Sequence, residues 1–167
     1  VIITYTGISL YNTATKTAEA QVVALAQSQA GIIDAEIETA LDTARTLAQT
    51  MAALKSSGET LSREQVNAML EQVMLGNPNF FGAYTLWEPN AFDGKDAEYA
   101  NTSGHDATGR FLPYWFRSDN TVTTDVLLSE DMDVGDFYLI PKQTGKEAII
   151  EPYFYPIAGK DVLMISL

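Results

Sequence analysis

A chain of 167 residues with 46% hydrophobic and 19% charged side chains can bury about 70% of its unfolded surface in one core, which excludes an intrinsically disordered protein. Its 22 Asp and Glu against 10 Lys and Arg give a net charge of −12, a field that repels phosphate backbones and argues against nucleic acid as a partner. There is no cysteine, so disulfides, thiolate metal sites and a thiol nucleophile are excluded, while the redox compartment stays open.

Residues 1–10 are apolar but lack a preceding basic region and fall short of the ~20 residues of a membrane helix. They fit either the outer end of a spanning helix or an ordinary helix start. Between residues 13 and 55 there is no proline, Gly31 is the only glycine, and Ala, Gln, Glu and Leu predominate. Ile33, Ile37, Leu41, Ala44, Leu47, Met51 and Leu54 recur in steps of three and four, with Asp34, Glu38, Asp42 and Arg45 on the other side. This pattern predicts a long amphipathic helix over residues 1–57, a stalk that offers a homodimer seam; the alternative is two shorter helices broken at Gly31.

Ser56, Ser57 and Gly58 end that helix, and the remaining residues 58–167 form the second region. Ser62 followed by Gln65 is a capping box, in which the hydroxyl and the amide satisfy orphan backbone donors at the start of a second helix. Val66, Met69, Leu70 and Val73 supply its buried stripe, and Gly76, Asn77 and Pro78 stop it.

Beyond Pro78 the texture changes. Residues 80–87, 111–116, 137–140, 148–155 and 162–167 are short, aromatic or β-branched runs that predict strands. Turn chemistry separates them at Asp93-Gly94, Gly104, Thr108-Gly109, residues 118–120, 143–146 and 158–160. Helices first and antiparallel strands afterwards give an α+β fold class. The apolar strand at the end of the sequence suggests a fragment of a longer protein.

The only histidine, His105, precedes Asp106 in a Gly- and Ser-rich loop, but no Gly-x-Ser-x-Gly elbow accompanies it, so a structural or exposed histidine is the simpler reading and no enzyme is expected. Asp93, Asp96 and Glu98 could ligate a hard cation, yet the distal bidentate Glu of a calcium loop is missing and an acidic turn accounts for them. No phosphate loop, dinucleotide fingerprint or zinc pattern occurs, and no metal or cofactor is expected. The stronger signal is a density of aromatics with polar handles: Tyr84, Trp87, Tyr99, Tyr114, Trp115, Tyr138, Tyr153 and Tyr155, accompanied by Glu88, Asp93, Arg110 and Asp136. Aromatic faces with a carboxylate suit an ammonium group, each face contributing roughly 0.5–2 kcal/mol. The competing reading is that these rings only fill a core.

Residues 82–96, from Gly82 through Trp87 and Pro89 to Asp96, followed by Gly109, Arg110, Phe111, Leu112, Pro113, Tyr114 and Trp115, resemble the membrane-distal module of double-Cache domains in methyl-accepting chemotaxis proteins. Residues 135–138 and 146–153 are similar to that family's later strands. The resemblance implies a long helix leading into a PAS-like (Cache) antiparallel sheet with a flanking helix, followed in the full-length protein by a second module. It also implies a non-catalytic, membrane-anchored sensor in the periplasm or outside the cell, binding a small molecule between the sheet and the loop from Arg110 to Trp115. Tyr84, Trp87, Tyr114, Trp115, Tyr138 and Tyr155 are then the aromatic walls, with Arg110 and Asp136 as orienting charges. Amino-acid-binding relatives carry Arg-x-Trp-Tyr and an Asp after a Pro-Tyr pair. Here Leu112-Pro113-Tyr114-Trp115 and Tyr155 stand in those places, which turns the expectation to an amine or quaternary ammonium ligand with Asp136 or Glu88 as countercharge. Arg110 would suit a carboxylate instead. Such input domains also serve sensor histidine kinases and cyclic-nucleotide enzymes, and a structural or adhesive module without ligand is the remaining alternative.

Overall fold

The computed structural model describes residues 2–167 except Thr60, Asn120, Asp133 and Ala158, and the side chains of these except residues 2–5 and 157. Val1 of the apolar opening and the expected turn residues Asn120 and Ala158 therefore lie outside the described residues. The chain divides into two compact units, Val1–Thr39 and Ala40–Leu167.

Helix α1 (Ile2–Ser56) runs unbroken through Gly31, around which no atom lies within 4 Å of a notional Cβ. A glycine inside a helix costs roughly 0.5–1 kcal/mol, too little to split a helix of 55 residues, so the two-helix alternative does not hold. In the first unit Ile8, Tyr11, Val22, Leu25 and Ile32 stand exposed. With Thr15, Ala18 and Gln29 they follow the three–four alternation of a coiled-coil seam over residues 8–32. Leu10, Val23 and Ile33 are exposed beside it.

In the second unit α2 (Arg63–Gly76) starts with the expected capping box, Ser62 accepting from the Gln65 amide and Gln65 from the Ser62 amide. Val66, Leu70 and Met74 are completely buried. β1 (Gly82–Tyr84) leads through a loop containing the short α3 (Asp96–Tyr99) to β2 (Pro113–Ser118) and β3 (Thr121–Val126), which form an antiparallel sheet in the order β1-β2-β3. β3 has no counterpart among the strands expected from sequence. Its Thr and Val residues are β-prone, but most of its side chains face solvent, so it lacks the aromatic signature of the others. The short α4 (Ser129–Met132) and α5 (Asp136–Thr144) follow, then the antiparallel pair β4 (Ile150–Ile157) and β5 (Lys160–Ser166).

Residues 137–140, expected as a strand, are helical. The amides of Tyr138 and Leu139 bond to the Gly135 carbonyl, Asp136 stands in the first turn where a carboxylate complements the helix dipole, and Gly145 closes the helix with a left-handed φ of 63°. These terminal signals override the strand preference of Phe137, Tyr138 and Ile140.

Period-two alternation gives the β1-β2-β3 sheet two different faces. On one, Ala83, Trp87 and Trp115 pack with Leu47 and Met51 of α1, Val66 and Leu70 of α2, and Phe92 and Phe111. On the other, Tyr114, Phe116, Leu112, Leu127 and Met132 form a core bordered by Tyr84, Phe137, Tyr138, Tyr155, Val162 and Met164.

The β1–β2 loop is fastened to α2 by one buried cation. Arg63, 2% exposed, donates to both oxygens of Asp93 (2.9 Å each), to Asp96 (2.8 Å) and to the Gly109 carbonyl (2.8 Å), and its guanidinium lies 3.9 Å from the Tyr99 ring centroid. Two of the carboxylates read as an acidic turn are thus half of an ion-pair clamp. Removing one partner of such a pair typically costs about 3–5 kcal/mol, because the other charges stay buried. Gly109 is required there: its φ is +67°, and a Cβ would fall 1.9 Å from the Asp96 carbonyl oxygen. Among the described residues no helix is long and apolar enough to cross a membrane.

Candidate ligand-binding face

The face of the sheet turned away from α2 gathers an aromatic wall. Tyr84 and Tyr114 are register neighbours across β1 and β2, with ring centroids 6.4 Å apart, edge to face. Phe137, at the start of α5, meets Tyr84 edge-on at 6.0 Å, stacks with Tyr153 at 6.3 Å and meets Tyr155 edge-on at 6.2 Å. Tyr153 and Tyr155 share a face because they are two apart on β4. Tyr114 is buried, while Tyr84, Phe137, Tyr153 and Tyr155 are half-buried, so the wall is supported from behind and still reachable.

Two hydroxyls of this wall are held in place. Tyr155 donates to Asp131 Oδ2 at 2.9 Å, and the Tyr153 hydroxyl lies 2.7 Å from Ser166 Oγ. Burial pushes the Tyr84 phenol up to about 12 and raises Tyr114, Tyr153 and Tyr155 as well, the last also through its bond to Asp131. All four rings stay neutral near pH 7. At the border Tyr138 donates its hydroxyl to Glu88, and Lys142 Nζ lies 2.5 Å from Glu88 Oε1 and 5.0 Å from the Tyr138 ring centroid. Hydrogen bonds from Lys142 and Tyr138 hold the Glu88 carboxyl below its ordinary range.

Of the residues expected to form the site, the structure brings together Tyr84, Tyr114 and Tyr155, with Tyr138 at their edge. Trp87 and Trp115 lie on the opposite face, where Trp115 Nε1 donates to Asn67 Oδ1 at 2.9 Å and Trp87 meets Phe92 at 5.0 Å. Arg110 donates through Nε and Nη2 to the Trp87 carbonyl oxygen at 3.2 and 3.0 Å. Asp136 is exposed in the first turn of α5. Phe137 and Asp131 belong to the wall but were not among the expected site residues, and Tyr153 was only part of the wider aromatic inventory. Strand alternation, which separates Tyr114 from Trp115 and joins Tyr153 to Tyr155, is the signal that finds the grouping.

The His105–Asp106 pair serves another purpose. Asp106 Oδ1 accepts from the amides of Thr108 (2.9 Å) and Gly109 (3.2 Å), and Oδ2 from the amide of Ser129 (2.9 Å), which ties the loop before β2 to the start of α4. Burial pushes its carboxyl up, but these donors and the Thr108 hydroxyl prevail and bring it down to about 2. The His105 ring lies 4.9 Å from that of Tyr99, with Nδ1 3.3 Å from Thr102 Oγ1. Among the described residues, no group of three or more His, Asp or Glu side chains could hold a metal ion.

Residues 66–167, more than half of the chain, match the family model described as methyl-accepting chemotaxis protein-like, first PDC sensor domain. The chain belongs to this family. The PDC (Cache) domain is 27% identical to methyl-accepting chemotaxis protein TlpQ of Pseudomonas aeruginosa over 118 residues, which cover 63% of this chain and 16% of that protein. It also superposes on the extracellular domain of the putative histidine kinase mmHK1S-Z3 with a TM-score of 0.66 at 37% identity, covering 80% of this chain and 51% of the other. Methyl-accepting chemotaxis protein X shares the fold at a TM-score of 0.57 and 23% identity, with coverage of 77% and 51%. The α+β, PAS-like architecture expected from sequence is therefore that of this chain, and the sensor domain spans about half of the solved domains it matches.

Proposed function

We propose that this PDC sensor domain binds a small organic cation, an amine or quaternary ammonium compound, against the wall formed by Tyr84, Tyr114, Phe137, Tyr153 and Tyr155. We propose further that the whole receptor is a membrane-anchored chemoreceptor that reads this ligand outside the cytoplasm. The convergence of these rings on one half-buried face carries the reading. Ring faces are negative, ring edges positive, and a cation is drawn to the former. The net charge of −12 adds a field that concentrates cations around the domain. Tyr138 and Glu88 stand at the border of the site, and Arg110, committed to the Trp87 carbonyl, is not needed as a ligand anchor.

No bond is made or broken in this function. A ligand shifts a receptor only by as much as it binds one arrangement better than another. The wall is built from four separate pieces, β1, β2, α5 and β4, so a cation seated on it contacts elements that can change spacing. The 37% identity to the extracellular domain of a putative histidine kinase supports a second reading, in which the same face serves a kinase output.

A thermal-shift screen of the purified domain against amines, quaternary ammonium compounds, amino acids and small carboxylates tests the ligand class. At 100 times its dissociation constant a ligand adds about 2.7 kcal/mol, a rise in Tm of roughly 5–10 °C for a domain of this size. The expected result is a shift from cations alone. A shift from carboxylates and none from cations would overturn the proposal.

A further inference from the structure

The carboxylates of the β1–β2 loop and of the wall's surroundings differ in what already neutralises them. Asp93 and Asp96 are committed to Arg63, Glu88 to Lys142 and Tyr138, and Asp106 to backbone amides. Asp136 is exposed. Asp131 is half-buried, and the side-chain donor that meets it is the neutral hydroxyl of Tyr155 at 2.9 Å. Among the described residues no ion pair to Asp131 is found.

Its place is set by the tight turn into α5. The Gly135 amide bonds to the Asp131 carbonyl at 3.0 Å, and a Cβ on Gly135 would fall 2.3 Å from the Phe137 ring and 2.9 Å from the Asp131 carbonyl oxygen. A side chain at Gly135 would therefore have to displace the Phe137 ring and crowd the Asp131 carbonyl. The next residue, Met132, is completely buried in the same core as Tyr114. A carboxylate anchored on Tyr155, whose ring meets those of Phe137 and Tyr153, has the composition an ammonium group requires: one formal negative charge and several aromatic rings.

Building on the proposed cation-binding function, we infer that Asp131 is the countercharge of the site and Tyr155 its positioning partner, so that the ligand ammonium bridges the Asp131 carboxylate and the rings of Phe137 and Tyr155. The site then selects for positive charge, and it does so through a residue of α4 rather than through Glu88 or Asp136.

Calorimetric titration of the wild type, Asp131→Asn, Tyr155→Phe and Glu88→Gln with butylamine, phenethylamine and tetramethylammonium tests the assignment, with butanol as a neutral control. Asn keeps an acceptor for the Tyr155 hydroxyl, so the fold should persist, as an unchanged Tm would verify. The expected result is a loss of at least tenfold in affinity for the cations in Asp131→Asn, several-fold in Tyr155→Phe and little in Glu88→Gln, with butanol binding equally weakly to all four. Cation binding by Asp131→Asn as tight as by the wild type would overturn the role of Asp131 and leave the cation reading standing. A wild type that binds none of the three cations would overturn the cation reading itself and Asp131 with it.

Discussion

Asp106 shows how a single carboxylate can be committed to structure although its sequence context suggests chemistry. Its folded pKa of about 2 lies below the ordinary 3.8, so its contribution to stability is complete above about pH 4 and is lost as pH falls toward 2. Partial exposure screens the effect, which we put at about 1 kcal/mol. Asp106→Asn should lower stability at pH 7 by that order and flatten the loss between pH 4 and 2; urea denaturation at both pH values measures it, and an acid profile identical to that of the wild type would contradict the assignment. Arg63 makes the complementary point. Lying just after the capping serine, it looks in sequence like an ordinary solvent-facing residue of a first helical turn. Its burial depends on Asp93, Asp96 and Gly109, more than 29 residues away in sequence, and no local pattern announces that pairing.

At the scale of elements, the helical half was legible because its signals are local. The capping box at Ser62 and Gln65 and the proline-free run through α1 each report their own structure. The strands were less so. β1 and β2 stood out through their aromatics, β3 is a polar strand without that mark, and residues 137–140 carry strand-prone side chains inside a helix set by Gly135 and Gly145. The site followed the same division: its aromatic character could be read from composition, whereas the partition of Trp87 and Trp115 from Tyr84 and Tyr114 depends on which face of the sheet the helices cover. Along α1, we propose the exposed alternation through Ile8, Val22, Leu25 and Ile32 as a seam for a second copy of the chain. Replacing Val22 and Leu25 together by Glu should weaken self-association at high protein concentration by at least tenfold, as read by sedimentation equilibrium, while the far-ultraviolet circular dichroism of the domain is retained. Association unchanged from the wild type would contradict the seam.

For the whole molecule, family membership and fold agree with the direction in which the sequence pointed: a PDC sensor domain of the chemoreceptor type, with an α+β architecture. Composition added a negative field, and the structure adds a supported, half-buried aromatic face.

The most direct test of this account separates the two faces of the β1-β2-β3 sheet. The thermal shift produced by a cation that stabilises the wild type would be measured again in Phe137→Ala, which removes the central ring of the wall, and in Trp115→Phe, which alters the helix-covered face. The account predicts that the shift disappears in Phe137→Ala and persists in Trp115→Phe. A shift that survives Phe137→Ala and vanishes in Trp115→Phe would place the ligand on the other side of the sheet and contradict it.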